Sequence, residues 1–415
     1  MKWSCPSRHW PRLSAALLLL FFGLSGRPVL AMQTIRIGTL YAGSGPFATS
    51  SLAQYRGLTF WVHAMNRAGG VYVKALHKKV PIKLIAYNDR SSPTTAATLY
   101  TQLITRDHVT ILVADFGSVL TSVAVPIAKE HRVLLFDPTG TGATFFTRNN
   151  PFIVLTSLPT SAIWPDSLAD YLKSEPAIRR VALLYATNDF TGSQADTLRH
   201  RLAGSHVKLV YDHGIATGTS DYTLLLHSIA ASHPQAVIEF GYPNNDLAFL
   251  QNLRNSGIHF PMVFTIFPGQ LSALFKKNVG THGLAYLYTY PTPPLLAYNK
   301  VNYGPGLDAF RSAFEAHTHK PVNFLNVAGY NAGLVIEKTL SISPSLAPLA
   351  LRRAVSAISG KLHTLDGLFR IDPVTGAQTG EMLPVGQFVP SGAQVTMRLV
   401  YPPSLATGRA VYPSP

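Results

Sequence analysis

Ile35-Arg-Ile-Gly-Thr-Leu-Tyr41 is followed by Ala42-Gly-Ser44-Gly45-Pro46 and then by a run that closes at Gly69-Gly70. Ile35, Ile37 and Thr39 alternate with other residues at strand period. The Gly-Ser-Gly-Pro segment turns the chain and leaves backbone N–H groups free to face a ligand. Leu52, Tyr55, Leu58, Trp61, Val62 and Met65 recur at helical spacing, and Gly69-Gly70 supplies a left-handed stop. A strand, a loop of small residues and a helix in that order open a parallel α/β unit.

The same rhythm continues outward from this unit. Pro81 to Tyr87 is a second strand, followed by a helix that starts near Pro93 and carries Ala96, Leu99 and Leu103 on one face. Val109 to Ala114 is a buried strand, Val119 to Lys129 a helix and Arg132 to Phe136 another strand. The alternation restarts at Arg180–Tyr185, Val207–Tyr211, Ala236–Phe240 and Pro261–Phe264. Two doubly wound parallel sheets account for this, and a length of 415 residues exceeds what one core usually organises. Pro291-Thr-Pro-Pro294 breaks regular structure as a return connection, and helices are expected over 306–317, 325–341 and 347–359.

The first 31 residues have the make-up of an export signal: Lys2, Arg8 and Arg12, an apolar core from Leu13 to Leu24, and Val29-Leu30-Ala31 at the cut. The apolar run is short of the ~20 residues of a membrane span. The single cysteine, Cys5, precedes that core, so a chain cleaved after Ala31 holds no thiol. Disulfides, thiolate catalysis and cysteine-ligated zinc are then excluded. A periplasm is the expected compartment. The net charge of +15 does not point to nucleic acid, because the basic residues come as separated pairs such as Lys78-Lys79 and Arg352-Arg353 without interleaved aromatics. A surface short of carboxylates, suited to an acidic exterior, explains it, as does a mild attraction for anionic ligands.

In open α/β sheets, ligands bind beyond the carboxyl ends of strands. Asp115-Phe116-Gly117-Ser118 lies between a strand and a helix, where free N–H groups and a hydroxyl suit a carboxylate, although Ser118 also fits a simple N-cap. Asp137-Pro-Thr139-Gly-Thr141-Gly142 offers hydroxyls on the same edge, or is a plain Gly/Pro turn. Phe116, Phe190, Tyr242, Ile266 and Phe267 are apolar residues able to enclose a ligand body or to serve as core.

The opening unit, the Asp115–Ser118 and Asp137–Gly142 loops and the final Gly367…Asp372…Gly376 pattern resemble the leucine/isoleucine/valine-binding family, the type I periplasmic receptors of ABC transporters. The resemblance implies two lobes joined by a three-crossing hinge around a cleft. The amino-terminal lobe is then expected over 32–156 and 291–364, and the carboxy-terminal lobe over 157–290 and 365–415. It implies that Ser118 binds a ligand carboxylate and that Thr139 and Thr141 grip the ligand backbone. Phe190 stands in for a pocket tyrosine, Tyr242 matches a second-lobe tyrosine, and Ser50 takes a third tyrosine position. Where amino-acid receptors of the family carry a glutamate for the ligand ammonium, this chain has Ile266. An unpaired buried ammonium costs several kcal/mol. An ordinary amino acid is therefore disfavoured unless Glu239 or Asp189 substitutes, and an aliphatic or aromatic carboxylate fits better.

There is no Gly-x-Ser-x-Gly elbow, His-Glu-x-x-His motif or Walker loop, and no cofactor or metal is implied. The expected partners are a small-molecule solute, of the branched-chain amino acid or small organic carboxylate class, and a membrane permease that receives it, with no nucleic acid and the chain a monomer. A sensory binding protein is the alternative. An enzyme using Asp137, Glu239 or Asp189 as acid/base groups is a third class.

Overall fold

The computed structural model describes residues 1–3, 34–297 and 300–415; apart from its first three residues, the expected export signal lies outside the described residues. From residue 34 onward the described chain forms one compact unit. It begins with β1 (Ile35–Tyr41), α1 (Ala48–Arg67), a short hairpin of β2 (Val71–Val73) and β3 (Lys78–Val80), and β4 (Ile82–Asn88). Next come α2 (Pro93–Thr105), β5 (Ile111–Val113), α3 (Gly117–Glu130), β6 (Leu135–Asp137) and β7 (Ile153–Leu155). The five main strands pair in parallel in the order β4-β1-β5-β6-β7.

The chain then crosses to a second set: α4 (Pro165–Ser174), β8 (Arg180–Ala186), α5 (Asp189–Leu202), β9 (Lys208–Ile215) and α6 (Thr223–Ala231). This set continues with β10 (Ala236–Phe240), α7 (Pro243–Ser256), β11 (Val263–Phe264), α8 (Ser272–Leu284) and β12 (Tyr288–Thr289). The parallel order β9-β8-β10-β11-β12 repeats the topology of the first sheet. In both sheets the order reverses beside the first strand, which puts the crevice for a ligand over the loops after β1 and β5 and after β8 and β10.

After the return crossing, α9 (Leu307–Thr318), α10 (Phe324–Ile342) and α11 (Pro348–Ile358) cover the first sheet, followed by β13 (Leu362–Thr364) and β14 (Gly367–Phe369). Leu58 and Trp61 of α1 and Val327, Val335 and Leu351 of the later helices bury one face of that sheet; Ala96, Tyr100 and Ala124 bury the other. Of the stripe expected on α1, Leu58 and Trp61 are fully buried and Val62 and Met65 pack partly buried against the same core, while Leu52 and Tyr55 are half-buried. The most buried face of that helix includes Ser50, Ala53 and Gly57, because α10 lies directly against it. A Cβ at Gly57 would collide with the Asn326 carbonyl, and one at Gly329 with the Gln54 carbonyl, so glycine permits this approach.

Two expectations change. Leu365, Phe369 and Ile371 remain in the first core, and the Leu155 amide donates to the Gly376 carbonyl at 3.0 Å. The chain therefore stays on the first lobe beyond residue 364, and through Thr379, whose amide donates to the Arg370 carbonyl at 2.7 Å, because these apolar side chains belong to the first core. The second sheet is also not wholly parallel: β15 (Val385–Ser391) and β16 (Gln394–Tyr401) add an antiparallel hairpin to β12. The Pro/Ser-rich tail packs on it, with Val411 and Gln387 exchanging hydrogen bonds of 2.8 and 2.9 Å.

Candidate functional site

The loop after β1 meets the crevice through Phe47, whose ring packs on Tyr242, and less through its backbone than expected. The Gly43 amide donates to Asn88 Oδ1 at 2.8 Å, and Ser91 Oγ bonds the Ser44 carbonyl at 2.7 Å, so part of the loop's polar backbone is used locally at the surface. The loop after β5 holds Asp115, whose Oδ1 accepts Ser51 Oγ at 2.5 Å and the Phe116 amide at 2.6 Å. Burial, and then the neighbouring Asp89, push the Asp115 carboxyl well above its ordinary range. Asp115 thus braces the loop, while Phe116 and Gly117 reach the crevice. Gly117 adopts φ +74°, and the Tyr242 ring would lie 3.1 Å from a Cβ there; a side chain would both strain the turn and crowd the tyrosine.

Ser118 is the second residue of α3 and not its N-cap. Its Oγ accepts the Gly142 amide at 2.9 Å, which ties the β5 and β6 loops together. Thr139 Oγ1 accepts the Gly117 amide at 3.1 Å and donates to Gln54 Oε1 at 2.5 Å. Gln54, whose Nε2 also donates to the Ala114 carbonyl at 2.9 Å, fixes Thr139 from α1. Asp137 Oδ1 accepts the Thr139 and Gly140 amides at 3.2 and 2.6 Å, and burial pushes this carboxyl up to about 7. Thr141 differs from these residues: its Oγ1 is buried and has no hydrogen-bond partner.

From the second lobe, Tyr242 follows β10 and extends its hydroxyl to the start of α3. Its ring centroid lies 5.3 Å from those of Phe47 and Phe190, 6.0 Å from Phe116 and 6.3 Å from Phe267. Asp189 reaches across as well, its Oδ2 accepting Thr144 Oγ1 at 2.8 Å and the Thr144 amide at 3.2 Å. The lobes are therefore closed on one another. A cavity of about 20 Å³ remains between them, room for about one water.

Phe116, Gly117, Thr139, Thr141, Phe190, Tyr242 and Phe267 line this cavity, seven of the ten expected residues, with Ser118 just behind the wall. Ser50 and Ile266 are buried outside it. Ser50 lies on the α1 face packed on α10, and Ile266 serves through its carbonyl, which accepts Thr289 Oγ1 at 2.8 Å. Trp164, Gln270, Phe324 and Leu325 also line the cavity. Trp164 comes from the first crossing, Gln270 from the connection between β11 and α8, and Phe324 and Leu325 from the start of α10, where no motif marks them. Among the described residues, no carboxylate lines the wall. Glu239 is buried beside Asp246, whose Oδ2 accepts the Phe267 amide at 2.6 Å. Burial and then mutual repulsion raise Glu239 well above its ordinary range, and burial raises Asp246 to about 7.

The sequence pattern that describes periplasmic binding proteins matches residues 34–385. The chain belongs to this family. It is 21% identical to the Leu/Ile/Val-binding protein of Escherichia coli K12 over 226 residues, which are 54% of this chain and 59% of that protein. The match thus spans little more than half the length of that relative. It is also 21% identical to the leucine-, isoleucine-, valine-, threonine- and alanine-binding protein of Pseudomonas aeruginosa over 79% of this chain and 83% of that one. Among solved structures, the branched-chain amino acid transporter substrate-binding protein of Streptococcus pneumoniae in complex with isoleucine is 18% identical, with a TM-score of 0.74 over 89% of this chain and all of that one. A solute-binding protein from R. palustris in complex with benzoate is 18% identical, with a TM-score of 0.73 over 88% and 95% of the two chains. This family member therefore shares the type I periplasmic binding protein fold, with paired lobes and a central crevice.

Proposed function

We propose that this protein is a periplasmic solute-binding component of an ABC importer, a binding protein and not an enzyme, that closes around a small organic carboxylate and delivers it to a membrane permease. The observation that carries this reading is Thr141 Oγ1: a buried hydroxyl without a partner, on the wall of a cavity between two lobes. A buried polar atom of this kind costs about 1–3 kcal/mol unless a ligand satisfies it. The amides at the start of α3 beside it are held by Thr139 and by the Tyr242 hydroxyl in this closed form, and they would suit an anion that displaces the phenol. The rings of Phe116, Trp164, Phe190 and Phe267 suit an apolar body. The absence of a carboxylate from the wall disfavours an ammonium-bearing ligand, and the benzoate complex of a family relative supports the same class.

Solute binding works by population shift: only the closed form contacts the solute from both lobes, so the solute stabilises closure. With about 20 Å³ left in the closed form, entry requires the lobes to part and the aromatic side chains to make room. A thermal-shift screen of aliphatic acids, aromatic acids, amides and amino acids tests the reading. A carboxylate without an ammonium should give the largest shift, and leucine binding at micromolar affinity would overturn the choice of class.

A further inference from the structure

We propose that Gln270 selects the solute, favouring ring carboxylates that carry a second, neutral hydrogen-bond acceptor over those that carry an ammonium; this rests on the reading of the cavity as the solute site. The Gln270 backbone is held from both sides. Its amide donates to the Phe267 carbonyl at 2.9 Å, and its carbonyl accepts the Phe324 amide at 3.3 Å, across to the first turn of α10. Its side chain is 2% exposed and lines the cavity, yet Nε2 has no partner. Polar atoms buried in this way are rare because each forfeits the hydrogen bonds it made in water. Here the unpaired amide belongs to a residue of the cavity wall, where a solute could satisfy it.

Gln270 lies four positions beyond Ile266, in the same β11–α8 connection. That connection therefore supplies an amide donor to the cavity where an acid would be needed to hold a cation. None of the nearby acids lines the cavity: Asp246 accepts the Phe267 amide, Glu239 is buried beside it, and Asp189 accepts from Thr144. An ammonium placed in the cavity would therefore be buried without a counter-charge. A phenolic or carbonyl oxygen would accept from Nε2 at no such cost, and the rings of Phe116, Phe190 and Phe267, which now pack on one another, suit a flat body once they part.

The test is isothermal titration of the full chain with benzoate, 3- and 4-hydroxybenzoate and phenylalanine, repeated with Gln270→Leu and Gln270→Glu. In the wild-type protein at least one hydroxybenzoate should bind about tenfold more tightly than benzoate, with phenylalanine weakest. Gln270→Leu should remove the hydroxyl advantage, so that no hydroxybenzoate binds that variant more tightly than benzoate does. Gln270→Glu should weaken the hydroxy acid and strengthen phenylalanine about tenfold. Persistence of the hydroxyl advantage in Gln270→Leu, or the absence of any gain for phenylalanine in Gln270→Glu, overturns the role of Gln270 alone. Failure of every acid to bind the wild-type protein overturns the carboxylate reading, and this proposal with it. Should Gln270→Leu fail to fold by circular dichroism, the Gln270→Glu arm decides.

Discussion

The Tyr242 hydroxyl accepts the Ser118 amide at 3.1 Å and the Val119 amide at 3.4 Å, so a side chain of the second lobe occupies the N-terminus of a helix in the first. Helix N-termini carry unsatisfied N–H groups and a partial positive charge, and the phenol oxygen meets them as an anionic ligand would. Around it, Phe47, Phe116 and Leu120 of the first lobe join Phe190 and Phe267 of the second in one continuous apolar cluster. Closure is thereby stabilised by the protein's own groups before any solute arrives.

Replacing Tyr242 with Phe should keep the ring packing and strip the acceptor from both amides. We expect the solute-free protein to shift toward the open form, seen as a larger radius of gyration in small-angle scattering. A cost of about 1–2 kcal/mol in closure is expected. An unchanged scattering profile would count against the phenol's role in holding the lobes together.

Thr141 and Ser118 should separate in their effects. Thr141 Oγ1 has no partner within the protein, so Thr141→Ala is expected to leave stability nearly unchanged while weakening solute binding by roughly 1–3 kcal/mol. Ser118→Ala removes the acceptor of the Gly142 amide and should lower stability as well, by about 1 kcal/mol. Denaturant titration alongside calorimetry distinguishes the two patterns.

Stability should decline as pH rises toward neutrality. Burial pushes Asp137, Asp246 and Asp366 up to about 7, above the value of an exposed carboxyl. Between about pH 4 and 7 the folded protein therefore holds more protons than the unfolded chain. Raised carboxyls contribute their full stability below the unfolded value, and that contribution is lost as pH rises through the folded one. Thermal midpoints are expected to be higher at pH 5 than at pH 8, a direction suited to an acidic exterior. Asp137→Asn, which keeps an acceptor for the Thr139 and Gly140 amides, should flatten part of this slope.

Asp189→Ala removes the acceptor of Thr144 Oγ1 and its amide at the rim of the crevice. Both partners are partly solvated, so the loss in closure should be modest, about 1 kcal/mol, and solute affinity should fall roughly fivefold. Equal affinity in the variant would show that this cross-lobe contact does not contribute to closure.

Gly329→Ala tests the rigidity of the first lobe. The added Cβ would strike the Gln54 carbonyl and force α1 away from α10. We expect a loss of about 1–3 kcal/mol in unfolding free energy. Because Gln54 also holds Thr139, solute binding should weaken too.

The strands were legible because a parallel sheet covered on both faces needs short apolar runs, and Ile111–Val113 and Ala236–Phe240 are such runs. The loops at their carboxyl ends were legible for the same reason, and they supplied Phe116, Gly117, Thr139, Thr141 and Tyr242 to the cavity. On α1 the apolar stripe showed only part of the buried face, because a glycine-mediated helix contact also buries small residues that carry no hydropathy signal. The carboxy-terminal hairpin was missed because its pairing partner, β12, lies about a hundred residues earlier.

Taken alone, the order of residues determined two α/β halves and the strand-end loops that face one another, since local periodicity and turn chemistry act over a few residues. Only the tertiary structure decided which polar atoms are already satisfied. Ser118 and Thr139 are bonded within the protein, whereas Thr141 and Gln270 each keep an unpaired polar atom at the cavity. Hydrogen-bond partners are assigned by packing between distant segments, and no spacing along the chain encodes that.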